Sequence, residues 1–225
     1  MKIIRYGACD DIDVQFLDEH RYIYYHNVYT NFKKGQIKNP YDRNIFGVGY
    51  IGDGKYGTGD AVKRTKEEYV WRGMLERCYG DKYKDVHSAY YDKCIVCEEW
   101  HNFQNFAEWY TQNFYQVGTE RMHLDKDILV KGNKFYSPET CLIVPQRINM
   151  LFLQKPNKYN LPSGISPIAN NRYRADYNGK RIGNYNTLEE AIRAHDNEKR
   201  KAIRNIAKEY KPVIPNKLYE ALLNW

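Results

Sequence analysis

Long hydrophobic runs are absent from this chain of 225 residues. No segment approaches the roughly 20 apolar residues that a membrane-spanning helix needs, and the N-terminus has no signal-peptide core. The five cysteines are an odd number scattered along the sequence, which does not suit a disulfide scaffold. We therefore expect a protein of a reducing, cytoplasmic compartment that has no membrane partner.

The sequence also lacks the second cysteine pair that would complete a structural zinc site. Cys94 and Cys97 have the spacing of half a site, but a structural zinc ion takes four ligands, usually from two such pairs. The remaining candidates have no matching spacing: Cys78, His87, His101, His123 and Cys141. We expect no structural zinc and predict that the cysteines pack as thiols.

Acidic residues are in the minority. The chain has 35 Lys and Arg against 28 Asp and Glu, and its net charge is +7. Residues 157–225 contain 13 basic and 7 acidic residues, a net charge of +6, whereas residues 1–156 contain 22 and 21. A local basic excess is typical of a nucleic-acid-binding region, so we expect a polyanionic partner at this end of the chain.

The first 58 residues predict a small β-rich module followed by a connector. Alternation of Ile12, Val14 and Phe16 with polar residues indicates a half-buried strand, and Val28 with Phe32 indicates a short helix. Residues 39–60 contain six glycines, but no lysine-hydroxyl pair of a phosphate-binding loop follows them. We therefore predict a turn-rich connector, and a docking or DNA-clamp role for the module.

Two amphipathic helices are predicted next. Each has apolar residues at helical spacing, and we expect these residues to form a core and not a base-stacking platform. The first stripe is Trp71, Met74, Leu75 and Cys78, and the second is Phe103, Phe106, Trp109 or Tyr110, and Phe114.

Residues 122–153 predict a strand, a turn, a second strand and a short helix. The first strand covers residues 122–128, and a tight turn follows at residues 131–134. The second strand covers residues 140–144, and Pro145 suits the first turn of a helix that runs to about residue 153. This order is the outline of a ββα finger.

From Trp71 to Phe152 the chain resembles phage-encoded HNH-like (His-Me finger) endonucleases. The matching segments are W-x-x-M-x-x-R-C-Y from residue 71, C-x-E-W-x-x-F-x-x-F-x-x-W from residue 97, and LDKDIL, GNKFYSPETC and VPQRIN between residues 124 and 149. The resemblance implies a ββα-metal domain with flanking helices. It also implies a bacteriophage protein that acts in the cytoplasm of a bacterial host.

The resemblance also implies roles for individual residues. The family's first strand ends in a metal ligand followed by a general-base histidine, positions that Asp125 and Lys126 occupy here. Asn133 corresponds to the residue that orients the base, and Asn149 corresponds to the metal-facing residue of the helix, with Asp127 as a further candidate ligand. The implied cofactor is one Mg²⁺ or Mn²⁺ ion, which stabilises the leaving oxygen.

Lys126 departs from the family pattern. A lysine of ordinary pKa is protonated at neutral pH and cannot accept a proton. In a regular strand, Asp125 and Asp127 lie on the face opposite Lys126, and His123 shares their side, which makes His123 an alternative base. Three alternatives therefore stay open: an active nuclease, a degenerate, non-cleaving protein, and an ion-paired turn with ordinary Asn caps.

Residues 157–225 predict a β-meander followed by one helix, because the apolar period changes from two to 3.6 near Thr187. Asn178-Gly179 is a hairpin signal, and Thr187 with Glu190 forms a capping box at the start of the helix. Down this helix we expect a sheet-facing stripe that consists mostly of small residues: Ala191, Ala194, His195, Glu198 and Ala202.

One face of the predicted sheet is basic. Strand alternation separates a polar face from a face formed by Tyr173, Ala175 and Tyr177. The polar residues are Arg172, Arg174, Asp176 and Asn178, joined by Lys180 and Arg181 of the next strand. Arginine suits guanine recognition in the major groove and other polar groups hold phosphates, so this face is predicted to bind double-stranded DNA. The alternative is a solvated polar face.

The same segment resembles the plant ethylene-response-factor (APETALA-type) DNA-binding domain, in the shorter form appended to phage HNH-like proteins. The matching residues are Gly164-Ile165, Arg172-Tyr173-Arg174-Ala175, Gly179-Lys180, Ile182-Gly183-Asn184-Tyr185, Thr187 and Glu190-Ala191. The resemblance implies a sheet that reads DNA and a helix that supports it. Tyr173 stands where that family often has Trp, so no sequence preference is transferred.

The sequence as a whole predicts an α+β protein of three modules. These are a β-rich N-terminal module with its connector (1–58), an HNH-like domain with flanking helices (59–155), and a three-stranded sheet packed on one helix with a C-terminal tail (156–225). The expected function is double-stranded DNA binding combined with metal-dependent phosphodiester hydrolysis. The alternatives are a non-catalytic DNA-binding regulator or host-interaction protein, and a protein–protein adaptor that uses the aromatic N-terminal half. No oligomeric state is predicted.

Overall fold

The computed structural model describes residues 1–59, 63–153 and 157–225. The strands are β1 (Lys2–Ala8), β2 (Asp11–Gln15), β3 (Ile23–Asn27), β4 (Ile95–Val96), β5 (Met122–Asp125), β6 (Phe135–Tyr136), β7 (Leu142–Pro145), β8 (Ile165–Ile168), β9 (Arg172–Tyr177) and β10 (Lys180–Tyr185). The helices are α1 (Tyr29–Lys33), α2 (Lys66–Tyr79), α3 (Phe103–Asn113), α4 (Gln146–Met150), α5 (Leu188–Tyr210) and α6 (Asn216–Leu223). The fold is α+β with several small sheets, which confirms the predicted class.

The chain divides into two compact units, Met1–Gln112 and Asn113–Trp225. The three modules predicted at residues 1–58, 59–155 and 156–225 stay a prediction, and the boundary at 155/156 lies outside the described residues. No helix in the described parts of the chain has the length and apolar character that crossing a membrane requires.

The first unit begins with an antiparallel sheet of strand order β1-β2-β3. The alternation that predicted a half-buried strand is confirmed, because the side chains of Ile12, Val14 and Phe16 are buried in one cluster with Ile37. Short strands of this kind become stable only when one face is covered, and here α1 and the chain that follows it cover the sheet.

The two predicted helical stripes are buried except for Phe114, which follows the end of α3 and is only partly buried. Trp71, Met74, Leu75 and Cys78 of α2 are buried, and so are Phe103, Phe106 and Tyr110 of α3. The indole Nε1 of Trp71 donates a hydrogen bond of 2.7 Å to the carbonyl oxygen of Trp100, which satisfies the one polar atom of this buried side chain. These aromatic residues therefore form a core.

In the second unit β5 pairs antiparallel with β7, and α4 packs on both strands. The order strand, strand, helix is as predicted, but three boundaries differ. Strand β5 ends at Asp125, β7 covers Leu142–Pro145, and α4 ends at Met150. The first strand stops early because the Asp125 carboxylate binds the amides of the next residues and turns the chain.

The C-terminal sheet is antiparallel with strand order β10-β9-β8, and α5 packs on it. Asn178 and Gly179 both have positive φ, 49° and 76°, as a two-residue hairpin turn with right-handed strand twist requires. Thr187 and Glu190 form the predicted capping box at the start of α5. The sheet, its turn and the start of the helix are thus confirmed.

Helix α5 buries a different stripe from the predicted one. The buried residues are Ala191, Lys199, Ile203, Ala207 and Tyr210, whereas the predicted Glu198 and Ala202 are only partly buried. The stripe follows a spacing of about four residues over 23 residues, so it turns away from the small residues of the first two turns. The predicted tail also contains a helix, α6.

The two halves of α5 face different partners. Its first turns cover the C-terminal sheet through Ala191, which packs with Ile165 and Ala175. Its last turns join a larger cluster with α6 and with the β5–β7 hairpin. The members of that cluster are Ile128, Leu142, Val144, Ile148, Ile203, Ala207, Tyr210, Ile214, Leu218 and Leu222. One continuous helix therefore supports both the sheet and the hairpin.

Candidate nucleic-acid interface

Strands β9 and β10 carry exposed basic residues. Arg172 and Arg174 are exposed. Ala175, which follows Arg174, is fully buried and packs with Ala191 of α5. Strand pairing places Arg181 opposite Asp176 and Asn184 opposite Arg174. We call the exposed residues Arg172, Arg174 and Arg181 the open face, whereas the side-chain oxygen of Asn184 is buried.

A one-residue irregularity in β10 shapes the open face. The pairing with β9 shifts between Arg181 and Gly183, and the extra residue, Ile182, packs with the apolar cluster below the sheet. A bulge of this kind re-aims the side chains that follow it and increases the local twist. As a result Asn184 lies beside Arg174, a position that alternation alone does not predict.

Most of the positive charge on the open face is not neutralised. Arg174 Nε lies 2.8 Å from Asp176 Oδ2, so one arginine is held in place by a neighbouring carboxylate. Among the described residues, no carboxylate lies within ion-pair distance of Arg172, Lys180 or Arg181. The face therefore offers cationic groups to an external anion.

Asn178 was predicted to lie on the polar face of the sheet with Arg172 and Arg174, and this prediction is wrong. Strand β9 ends at Tyr177, and Asn178 occupies the first turn position with left-handed φ, where strand alternation no longer applies. Lys180 begins β10 at the same end of the hairpin and is exposed. Lys180 thus extends the basic surface, while Asn178 shapes the turn.

Asp125 organises the turn after β5 and is 9% exposed. Its Oδ1 accepts hydrogen bonds from the backbone amides of Asp127 at 2.9 Å and Ile128 at 2.8 Å. Burial raises the pKa of this carboxyl group, and the two amide hydrogen bonds partly oppose that shift. The Asp125 carboxylate therefore satisfies backbone donors that the turn would otherwise leave unpaired.

Lys126 is buried, and its side chain contacts Asp127, which was predicted to lie on the opposite face of the strand. Its Nζ donates to both carboxylate oxygens of Asp127, at 3.0 and 2.9 Å, and to the carbonyl oxygen of Asn133 at 2.5 Å. The predicted separation of Lys126 and Asp127 on opposite strand faces is wrong, because the strand ends at Asp125. The Nζ atom of Lys126 is thus engaged as a hydrogen-bond donor to a carboxylate and a carbonyl group, an arrangement that does not suit a general base.

Asn133 is the third member of this cluster, and its amide is fully engaged with the backbone. Nδ2 donates to the carbonyl oxygens of Lys126 at 2.9 Å and Phe135 at 2.6 Å, and Oδ1 accepts from the Phe135 amide at 3.0 Å. We call Asp125, Lys126, Asp127 and Asn133 the central turn. Its side chains bind one another and the backbone that they bridge.

The two remaining predicted site residues lie on neighbouring elements. His123 lies in β5, where it pairs with Val144 of β7, and it is partly buried. Asn149 lies in α4, which packs on both strands. The structure thus brings Asp125, Lys126, Asp127 and Asn133 into one hydrogen-bonded cluster, with His123 and Asn149 on the hairpin and helix beside it.

The donor set of the central turn does not fit a divalent cation in this conformation. Mg²⁺ and Mn²⁺ prefer carboxylate oxygens that can be shared with water. Here the Asp127 carboxylate binds the Lys126 ammonium, and one Asp125 oxygen binds two amides. A cation at this position would have to replace the lysine.

Within the described residues, the one group of three potential metal-ligating side chains is Asp11, Asp13 and His26. The guanidinium group of Arg5 already bridges it, with 2.6 Å from Nη2 to Asp11 Oδ1 and 2.6 Å from Nε to Asp13 Oδ2. Hydrogen bonds from Arg5 lower the pKa of Asp11 to about 2 and also lower that of Asp13. The positive charge that balances these two carboxylates is thus the guanidinium group of Arg5.

Comparisons of the chain with protein-family models, with curated proteins and with solved structures gave no match.

Proposed function

We propose that this protein binds double-stranded DNA through the open face of its C-terminal sheet. The observation that carries the proposal is the cluster of exposed arginines on β9 and β10, of which Arg172 and Arg181 have no carboxylate partner among the described residues. The net charge of +6 in residues 157–225 supports the same partner.

The shape of this region suits the proposed ligand. A two-stranded β-ribbon fits the major groove of B-form DNA, and there Arg binds guanine O6 and N7. Arg172, Arg174 and Arg181 are exposed on the two strands of such a ribbon. Arg174 is also held by Asp176, which reduces the entropy that it loses when it contacts a base.

Substitution of Arg172 and Arg174 tests the proposal. Good base contacts contribute about 1–3 kcal/mol each, so Arg172→Ala combined with Arg174→Ala should weaken DNA binding by about 2–6 kcal/mol. Fluorescence anisotropy of a labelled duplex at fixed salt concentration measures the dissociation constant. Unchanged affinity would remove the open face as the DNA-binding surface.

A charge-matched control shows whether DNA affinity depends on contacts of the open face or only on the net charge of the protein. Arg200→Ala with Arg204→Ala removes the same two charges from exposed positions on α5. We expect this variant to bind DNA nearly as tightly as the wild type. An equal loss in both double variants would show that binding follows net charge and not the open face.

A metal-dependent HNH-type nuclease is a second candidate function. The observation that favours it is the order β5, β7, α4, with Asp125 at the end of a strand and Asn149 on the helix. The ion pair of Lys126 with Asp127 argues against it. We expect no nicking of plasmid DNA with Mg²⁺ or Mn²⁺, and metal-dependent nicking that Asp125→Ala and Asn149→Ala abolish would establish the nuclease instead.

A further inference from the structure

A cavity of about 1180 Å³ lies within the second unit, between α4, the β9–β10 turn and α5. Its walls are partly apolar and aromatic, formed by Met150, Leu151, Tyr177, Ile192 and Trp225. Small-molecule sites occupy about 300–1,000 Å³ and combine an apolar lining with a few placed polar groups. The cavity is therefore large enough for a ligand of nucleotide size.

The carboxylates that line the cavity already have partners. Glu120 accepts a hydrogen bond of 2.5 Å from the Tyr210 hydroxyl group and one from the Arg147 amide. Asp176 is paired with Arg174, and Asp196 lies 3.3 Å from the ring of His195. These acidic groups are thus partly neutralised where they stand.

Lys199 and Lys131 of the cavity are in the opposite situation, whereas Arg147 is paired with Glu209. Lys199 is 8% exposed, and no hydrogen bond or ion pair joins its Nζ to another described residue. Its ammonium lies 4.7 Å from the ring centroid of Trp225, and Lys131 Nζ lies 4.6 Å from the same centroid. Desolvation lowers the pKa of Lys199, which marks the cost of burying its charge.

The Asp196 carboxylate attracts the Lys199 ammonium but is not within ion-pair distance of it, and the nearest partners are aromatic rings. A buried ammonium of this kind is poorly compensated, because cation–π contacts replace only part of its hydration. An anionic ligand would supply the missing hydrogen-bond acceptors. Phosphate oxygens meet this need, and Lys131 is a second cation at the same ring that acts electrostatically on Lys199. The aromatic and apolar walls then suit the planar, less polar part of the ligand.

We propose that this cavity binds a nucleoside phosphate, with its phosphate at Lys199 and Lys131 and its base against the aromatic wall. The ligand is a free nucleotide or an unpaired nucleotide at the end of a DNA strand, which have the same chemistry. The site uses none of the open-face residues, so it stands apart from the proposed DNA-binding function.

Titration calorimetry of the full chain with nucleoside 5′-monophosphates tests the site. We expect saturable binding that Lys199→Met weakens by about tenfold or more, since a buried charge contact to phosphate is lost. Lys199→Arg should retain most of the affinity. Lys208→Met, which removes a charge from an exposed position of the same helix, should leave it unchanged.

Trp225 provides an independent readout, because the other tryptophans (Trp71, Trp100 and Trp109) belong to the first unit. Bound nucleotide should quench its fluorescence. Should Lys199→Met fail to fold, Lys131→Met at an exposed position gives the same test. Absence of binding at millimolar nucleotide, or equal affinity in wild type and Lys199→Met, would overturn the proposal.

Further titrations distinguish the source of the ligand and the role of the base. A 5′-phosphorylated single strand that competes with the mononucleotide identifies a DNA end as the ligand, and failure to compete identifies a free nucleotide. Inorganic phosphate that binds as tightly as a nucleotide would contradict the aromatic half of the site. Arg172→Ala with Arg174→Ala should retain nucleotide binding even where it loses duplex binding.

Discussion

The central turn and the open face use similar side chains in opposite ways. In the central turn, Lys126 binds Asp127, and Asp125 and Asn133 bind backbone groups of the same turn. On the open face, Arg172 and Arg181 have no carboxylate partner in the described parts of the chain. The first arrangement stabilises a loop, and the second leaves charge available for a partner.

This difference shows why residue type alone does not define a site. A buried polar group that binds the backbone contributes to stability, because removal of its partner leaves donors or acceptors unsatisfied. An exposed arginine contributes little to stability, because water and salt screen it. The central turn should therefore be sensitive to mutation in unfolding experiments, and the open face in binding experiments.

The largest stability effect is expected at Asp125. Asp125→Ala removes the acceptor of two backbone amides in a buried position, so the free energy of unfolding should fall by about 2–4 kcal/mol. Urea denaturation measures the change. Asp125→Asn keeps an oxygen at the same place and should be much milder.

The same two variants also test whether the central turn is structural and the open face binds DNA. If the central turn is structural, Asp125→Asn should also leave duplex affinity unchanged. If Asp125→Asn keeps the wild-type free energy of unfolding but loses DNA binding, the carboxylate itself acts on DNA or on a metal ion.

A smaller effect is expected from the paired charges of the N-terminal sheet. Arg5 lowers the pKa of Asp11 from 3.8 to about 2 and lowers that of Asp13. A lowered carboxyl pKa contributes stability above the unfolded value, and this contribution is lost as pH falls through the folded value. Wild type should therefore lose stability between about pH 4 and pH 2 by this route, and Arg5→Met should lose less over that interval.

Acid titration followed by tyrosine fluorescence and circular dichroism measures this difference. Identical acid transitions in wild type and Arg5→Met would show that the ion pairs of Arg5 with Asp11 and Asp13 do not contribute to stability. A steeper loss in the wild type would place it with the central turn as a structural charge cluster.

Much of the fold could be predicted because the decisive signals are local. The Asn178-Gly179 turn and the capping box of Thr187 and Glu190 depend on a few adjacent residues. The buried stripe of α2 follows from helical spacing alone. Such features need no knowledge of distant contacts.

The features that could not be predicted depend on contacts between distant residues or on a break in regularity. Lys126 changes direction because β5 ends at Asp125, three residues earlier than predicted, and Asn184 lies opposite Arg174 because of a bulge. Lys199 is buried because Trp225 and Phe152 pack around it. Periodicity assumes a regular element, so it fails where a turn, a bulge or a tertiary contact intervenes.

Hydrogen–deuterium exchange with and without duplex DNA tests most directly whether the open face binds DNA while the central turn only stabilises the fold. We predict slower exchange in the peptides that cover Arg172–Tyr177 and Lys180–Tyr185, and no change in the peptides that cover residues 122–136. Protection of residues 122–136 without protection of β9 and β10 would contradict this assignment.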